Sequence, residues 1–154
     1  MPTLAGDRRV ASALEFALVS PALVLLLFLA IETAWQLTVE MALNIGIIAG
    51  SRYAVTGAGL SNGTRDSTIL ATIISGSGGV LSAANLTLAT ISYASPASFA
   101  SGGGGASSTG SSAQLVFYAV TYQQKFLTPL PAAILGYGAI NHTARLIVQN
   151  EPFY

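Results

Sequence analysis

The sequence predicts an α+β protein in which a long N-terminal helix crosses a membrane and continues as an extracytoplasmic helix packed on a small, mainly antiparallel sheet. The first observation behind this prediction is an uncharged, apolar run over residues 16–31. The second is a helical spacing of apolar residues that continues to about residue 55. The third is a set of segments rich in β-forming residues in the C-terminal half of the chain.

The apolar run is long enough to span a bilayer. As an α-helix, residues 14–31 would extend about 27 Å at ~1.5 Å per residue, close to the ~30 Å hydrocarbon core of a membrane. We therefore predict a cytoplasmic leader over residues 1–13, a transmembrane helix over residues 14–34 and one extracytoplasmic domain over residues 35–154. A cleaved signal peptide is disfavoured, because the run exceeds the usual ~7–15 residues and no small-residue cleavage site follows it.

The charges beside the run predict its orientation. Arg8 and Arg9 precede it, and the next basic residue along the chain is Arg52. This excess of positive charge predicts a cytoplasmic N-terminus and a single pass through the membrane. Trp35 follows the run and suits the far membrane interface, where an indole is half hydrated. Membrane lipid is thus the first expected partner.

Two residues of the predicted span are candidates for helix packing and assembly. Glu15 places a carboxylate at the head of the apolar run, where it is costly unless it lies at the interface or finds a partner. Either it complements the helix dipole at the membrane surface, or it pairs with a positive group on a neighbouring subunit. Pro21 removes one backbone hydrogen bond, which predicts a kink that also loosens the helix locally when subunits pack.

The helical spacing beyond Trp35 predicts one continuous helix, closed by Gly57 and Gly59. We expect its apolar stripe to pack on the protein's own C-terminal domain, and the stripe is formed by Leu37, Met41, Ala42, Ile45, Ile48 and Ala49. Gly46 and Gly50, four residues apart, offer the alternative of a close approach to another helix.

The remaining elements of the outer domain follow in order. A short helix capped by Asp66 or Ser67 ends at Gly76, and a strand covers residues 86–93. A flexible Gly/Ser loop is predicted over residues 95–112. A strand over residues 114–123, apolar on both faces, is expected at the centre of the sheet, and a short helix ending at Gly136 and a final strand from Ile140 to Val148 complete the domain.

The composition argues against an enzyme. Only 8% of the 154 residues are charged, against ~25% in ordinary soluble domains, and there is no cysteine. His142 is the only histidine, and on an alternating face it reads as a half-buried sheet residue. We predict no catalytic residues, no cofactor, no metal site and no small-molecule substrate. The basic residues are dispersed and the formal net charge is zero, so nucleic acid is not an expected partner.

The chain begins with a characteristic order of residues, in which Arg8 to Pro21 are followed by the Leu-rich run and Glu32. This stretch resembles the start of the TadE-like family, pilin-like proteins of bacterial tight-adherence (Tad) systems. The resemblance continues in residues 50–57, 126–130 and 144–153. It implies a pilin-like fold, a place in the bacterial inner membrane with a periplasmic domain, and an assembly role. The implied partners are the major pilin, other pilin-like subunits and the inner-membrane platform.

The family's processing pattern places a Gly five residues before the Glu, and a prepilin peptidase cuts after that Gly. Counting back from Glu15 makes Ala11 the first mature residue and puts Val10 where the Gly is expected. Two functions follow. The first is a minor pilin or pseudopilin of a tight-adherence pilus or secretion system. The second is an unprocessed accessory subunit of TadE-like architecture that stabilises another membrane complex. A secreted hydrolase is a third possible class of function. It is the weakest, because the sequence has neither a signal-peptidase site nor a catalytic constellation.

Overall fold

A computed structural model describes residues 4–56 and 62–152, and it confirms the α+β class. A long apolar helix is followed by a second helix and a three-stranded antiparallel sheet. The elements in chain order are α1 (Leu4–Thr56), α2 (Asn62–Gly76), β1 (Leu86–Tyr93), α3 (Pro96–Ala100), β2 (Leu115–Lys125), α4 (Pro129–Leu135) and β3 (Ala139–Gln149).

Helix α1 dominates the fold. Its 53 residues correspond to about 80 Å of helix, and it continues through Pro21 without ending. The predicted single helix is therefore confirmed, whereas its predicted terminators Gly57 and Gly59 lie outside the described residues.

The described chain forms two units. The first unit contains α1 up to Trp35 together with the segment Phe126–Gly138, which includes α4. The second unit contains α1 from Gln36 onward, α2, α3 and the three strands. The residues of α4 therefore group with the apolar half of α1, although they lie about a hundred positions later in the sequence.

The core of the second unit is built from one face each of α1, α2 and β2. Its largest fully buried side chains include Val39 and Leu43 on α1, Ile69 and Ile73 on α2, and Tyr118 on β2. Burial of such apolar side chains is the main stabilising contribution in a small domain, at about 25 cal/mol per Å² of apolar surface removed from water.

The prediction of which α1 face packs inward was wrong for most of the stripe. Leu37, Met41, Ile45 and Ile48 are between 55% and 65% exposed, whereas Ala42 is buried. Gly46 and Gly50 lie on the buried face, where a Cβ would approach Ile73 of α2 at 2.7 and 2.8 Å. The two glycines therefore make a close helix–helix approach, but to α2 of the protein's own domain and not in place of packing on it. Because α1 is apolar on more than one face, spacing alone did not identify the packed one.

The sheet has the order β1-β2-β3 with antiparallel neighbours, so the predicted central position of β2 is confirmed. The β2 face that carries Val116, Tyr118, Val120 and Tyr122 is buried, and the opposite face is half-buried. Both faces are apolar for this reason.

Two local predictions differ from the structure. Helix α2 begins at Asn62 and not at a cap on Asp66 or Ser67, which places Arg65 and Asp66 inside its first turns. The Gly/Ser segment contains α3, because Ser95 and Ser98 form a capping box around Pro96 with Ser98 N donating to Ser95 Oγ at 3.2 Å. The Ser-rich composition concealed this capping signal. The flexibility of residues 95–112 stays a prediction.

Candidate membrane and assembly helix

The apolar part of α1 fits a single-pass membrane anchor. Within the described residues, one helical segment, Val10–Thr56, is long and apolar enough to cross a bilayer. Its most apolar window has a mean hydropathy of 2.5, and none of that window is buried inside the protein. An exposed apolar window of 18 helical residues is unfavourable in water and favourable in hydrocarbon.

Several of the predicted interface, processing and assembly residues lie near the start of α1. Arg8, Val10, Ala11 and Glu15 are all exposed. Both interpretations of the Glu15 carboxylate stay predictions.

Trp35 is half-buried, and its indole Nε1 is buried without a hydrogen-bond partner in the described chain. The predicted place of this side chain at the membrane interface is not tested. An indole N–H at that interface normally finds a polar partner.

Glu32 has a structural role that sequence reasoning missed. The residue is only 5% exposed, and its Oε2 accepts hydrogen bonds from the backbone N–H groups of Leu127 at 3.0 Å and Thr128 at 3.3 Å. Both amides precede α4 and lack a helical acceptor, so the carboxylate satisfies donors that the fold otherwise leaves open. The resemblance included Glu32 and residues 126–130, but no spacing rule connects positions 95 residues apart.

An apolar groove lies beside this contact. It measures about 510 Å³ and runs between Pro21, Val24, Leu25 and Phe28 of α1 and the start of α4. Pro21 thus lines a groove within the first unit, a position that the sequence did not predict for it.

A buried polar cluster holds the second unit together. Arg65 is 2% exposed, and its guanidinium donates to the backbone oxygens of Ala54 and Gly110 and, at 3.1 Å, to Asn150 Oδ1. Asn150 in turn donates to the carbonyl oxygens of Thr109 and Ser111. The cluster joins α1, α2, the loop before β2 and the residue that follows β3, so its role is structural.

Two ionisable groups beside Arg65 are shifted by this environment. Burial raises the pKa of Asp66, and the nearby guanidinium opposes that rise only in part. Burial also raises the pKa of the Tyr118 phenol to about 12, although Arg65 again lowers it. Neither group faces a metal-binding cluster, since the described residues contain no set of three or more His, Asp or Glu that could hold an ion.

His142 confirms its predicted place on the sheet. It is half-buried on β3, and its Nε2 lies 2.8 Å from Gln36 Oε1 on α1. The contact fixes the strand to the helix and leaves the imidazole no acid or base partner in the described chain.

Residues 11–52 match the family model described as TadE-like protein. This segment of α1 is similar to the TadE-like family. The match begins at Ala11, the predicted first mature residue, and ends at Arg52, so it covers the exposed apolar part of α1 and most of its packed continuation. Proteins of the TadE-like, pilin-like family are generally non-catalytic. No curated protein and no solved structure matches this chain.

Proposed function

We propose that this TadE-like protein is a non-catalytic, membrane-anchored minor pilin or pseudopilin that helps to assemble a tight-adherence pilus or secretion system. The observation that carries the proposal is a second apolar stripe on α1, formed by Leu37, Met41, Ile45 and Ile48, which is more than half exposed in the folded chain. Other pilin-like subunits are the proposed occupants of this stripe.

The stripe has the geometry of a helix–helix contact. Its members are spaced by four, four and three residues, so they lie along one side of α1. The opposite side already packs through Val39, Leu43 and Ile47 on the core of the second unit. Burying the free stripe against another apolar helix would recover about 25 cal/mol for each Å² removed from water.

Glu15 supplies a way to align the subunits. It lies in the apolar part of α1, and a carboxylate there is stabilised strongly by a positive group on a neighbour. The α-amine of Ala11 on an adjacent subunit is such a group if the leader is removed. In this role Glu15 sets the register of packed helices, while the exposed stripe supplies the apolar surface that is buried between them.

The alternative is a permanently anchored accessory subunit that stabilises another membrane complex, and it is favoured by Val10 at the position of the usual Gly. In the structure Val10 lies inside α1, so a peptidase would also have to unwind the helix at this point.

The intact mass and the N-terminal sequence, measured on protein from native membranes and from sheared filaments, test the proposal. A chain that begins at Ala11 and is present in the filaments supports the pilin-like role. A chain that retains Arg8 and Arg9 and is absent from the filaments contradicts it and favours the accessory subunit.

A further inference from the structure

We propose that the segment Phe126–Gly138, here called the α4 segment, is a second membrane-contacting element. It lies in the bilayer beside the C-terminal half of the α1 span, and lipid acyl chains fill the groove between the two. The inference requires the membrane span of α1 but not the assembly role.

The side chains of the α4 segment suit a lipid environment. Its thirteen residues contain no charge, and Leu127, Ile134, Leu135 and Tyr137 are between 49% and 68% exposed. Four large, exposed apolar or amphipathic side chains in so short a segment are unfavourable in water. Tyr137 adds a hydroxyl that suits the membrane interface, and its ring lies 6.1 Å from that of Phe126.

The backbone at the start of the α4 segment also leaves few amide donors without a hydrogen-bond acceptor. The amide of Phe126 donates to the carbonyl of Gly138 at 3.3 Å, and the next two amides donate to Glu32. Pro129 and Pro131 have no N–H group. Five of the six residues from Phe126 to Pro131 therefore present no free amide donor, which matters because an unsatisfied donor in hydrocarbon costs several kcal/mol.

Glu32 explains how a carboxylate is tolerated at this depth. Its 5% exposure and its two backbone donors remove the charge from contact with apolar surroundings. The same hydrogen bonds attach the α4 segment to α1. The carboxylate and the two backbone amides thus replace, for each other, the hydrogen bonds that water would otherwise make.

The groove places the segment along the span. Phe28 lies about 6 Å and Pro21 about 16 Å from Glu32 along the helix axis, at ~1.5 Å per residue. Both line the groove with Pro129 and Leu130, so the segment extends beside the predicted hydrocarbon-spanning residues. Lipid is the expected occupant because the groove walls are continuous with the exposed apolar surface of α1.

Tryptophan quenching by lipid tests the inference, since Trp35 is the only tryptophan in the chain. In a Trp35→Phe background, single tryptophans are introduced by Tyr137→Trp in the segment, Phe28→Trp in the span and Tyr93→Trp on β1. The full-length protein is reconstituted in phosphatidylcholine vesicles with bromine atoms on the acyl chains. Emission is compared with that in vesicles without bromine.

We expect Tyr137→Trp to lose emission as Phe28→Trp does, while Tyr93→Trp keeps its emission. Quenching of Tyr137→Trp no greater than that of Tyr93→Trp would overturn the inference and indicate a protein partner or water at the α4 segment. Absence of quenching at Phe28→Trp would overturn it as well, because the span itself would then lie outside the bilayer. Retained emission at Tyr137→Trp with a quenched Phe28→Trp leaves the proposed assembly role unaffected.

Discussion

The carboxylate of Glu32 and the backbone N–H of Leu127 lie 3.0 Å apart, although 95 positions separate these residues in the sequence. This hydrogen bond, with its neighbour to Thr128, ties α4 to the apolar half of α1. Together the two bonds satisfy consecutive backbone donors just before α4.

Removal of the Glu32 carboxylate should release the α4 segment. In Glu32→Ala we expect the Leu127 and Thr128 amides to exchange hydrogen faster, by the loss of charge-assisted bonds worth about 1.5–3 kcal/mol each. Glu32→Gln keeps one acceptor oxygen and should show a smaller increase. Hydrogen–deuterium exchange of peptides covering residues 126–131 measures the effect, with peptides from β2 as the internal control. Equal exchange in all three proteins would show that the carboxylate does not hold the segment.

A methyl group at Gly46 should weaken the contact between α1 and α2. Its Cβ would lie 2.7 Å from the backbone oxygen of Ile73, which cannot move without shifting α2. Overpacking costs about 1–3 kcal/mol, partly offset by the better helix propensity of Ala, so we expect a lower melting temperature. At Gly50 the nearest atom belongs to the Ile73 side chain, and Gly50→Ala should cost less.

The control for both glycine variants is Gly103→Ala, where an added Cβ would lie 3.9 Å from Ser101 Oγ and the backbone conformation is ordinary. Thermal unfolding in detergent, followed by circular dichroism, ranks the three. An equal effect at Gly46 and Gly103 would contradict the close helix contact.

Loss of Arg65 should destabilise the second unit more than any single surface change. Arg65→Ala leaves the acceptors on Ala54, Gly110 and Asn150 without this buried donor, and we expect a loss of about 3 kcal/mol or more. Arg65→Lys keeps the charge but not the fork of donors, and should be intermediate. Chemical unfolding measures the order, and a stability of Arg65→Ala equal to the parent would refute the role of the cluster.

The Asp66 carboxyl should make stability depend on pH. Its pKa is raised by burial above the ordinary value of 3.8, so the folded state binds its proton more tightly than the unfolded state. The stabilisation of the fold by this protonated carboxyl is complete below its pKa in the unfolded state. It is lost as the pH rises through its pKa in the folded state. Asp66→Asn removes the titration.

We therefore expect the melting temperature of Asp66→Asn, relative to the parent, to increase as the pH rises from below 3.8 towards neutrality. Glu40→Gln, at an exposed position of α1, is the matched control. If the difference in melting temperature between Asp66→Asn and the parent stays constant with pH, the raised pKa of Asp66 is contradicted.

Much of the fold was predictable because it depends on local pattern. The uninterrupted spacing of α1, the alternation of β2 and the strand over residues 86–93 all appear in the structure as predicted. The packed face of α1 was not predictable, because Val39 and Met41 are both apolar and only the approach of Ile73 to Gly46 distinguishes their faces.

The long-range polar contacts were also beyond sequence reasoning. Glu32 and Arg65 bond mainly to backbone groups, and a backbone amide or carbonyl carries no signature in the sequence. The predicted helix residues Val10, Glu15 and Trp35 lie on α1, and their roles stay predictions.

The most direct test of the account is site-specific photo-crosslinking in native membranes from a photoreactive residue at Ile45, in the exposed stripe of α1. The same residue at Asn141, exposed on β3, is the control. We predict that Ile45 yields adducts whose crosslinked peptide lies in the N-terminal apolar helix of another pilin-like subunit or of a second copy of this chain, and that Asn141 does not. Adducts at Ile45 with lipid alone, or no more abundant than those at Asn141, would contradict the proposal that this stripe joins the protein to an assembly.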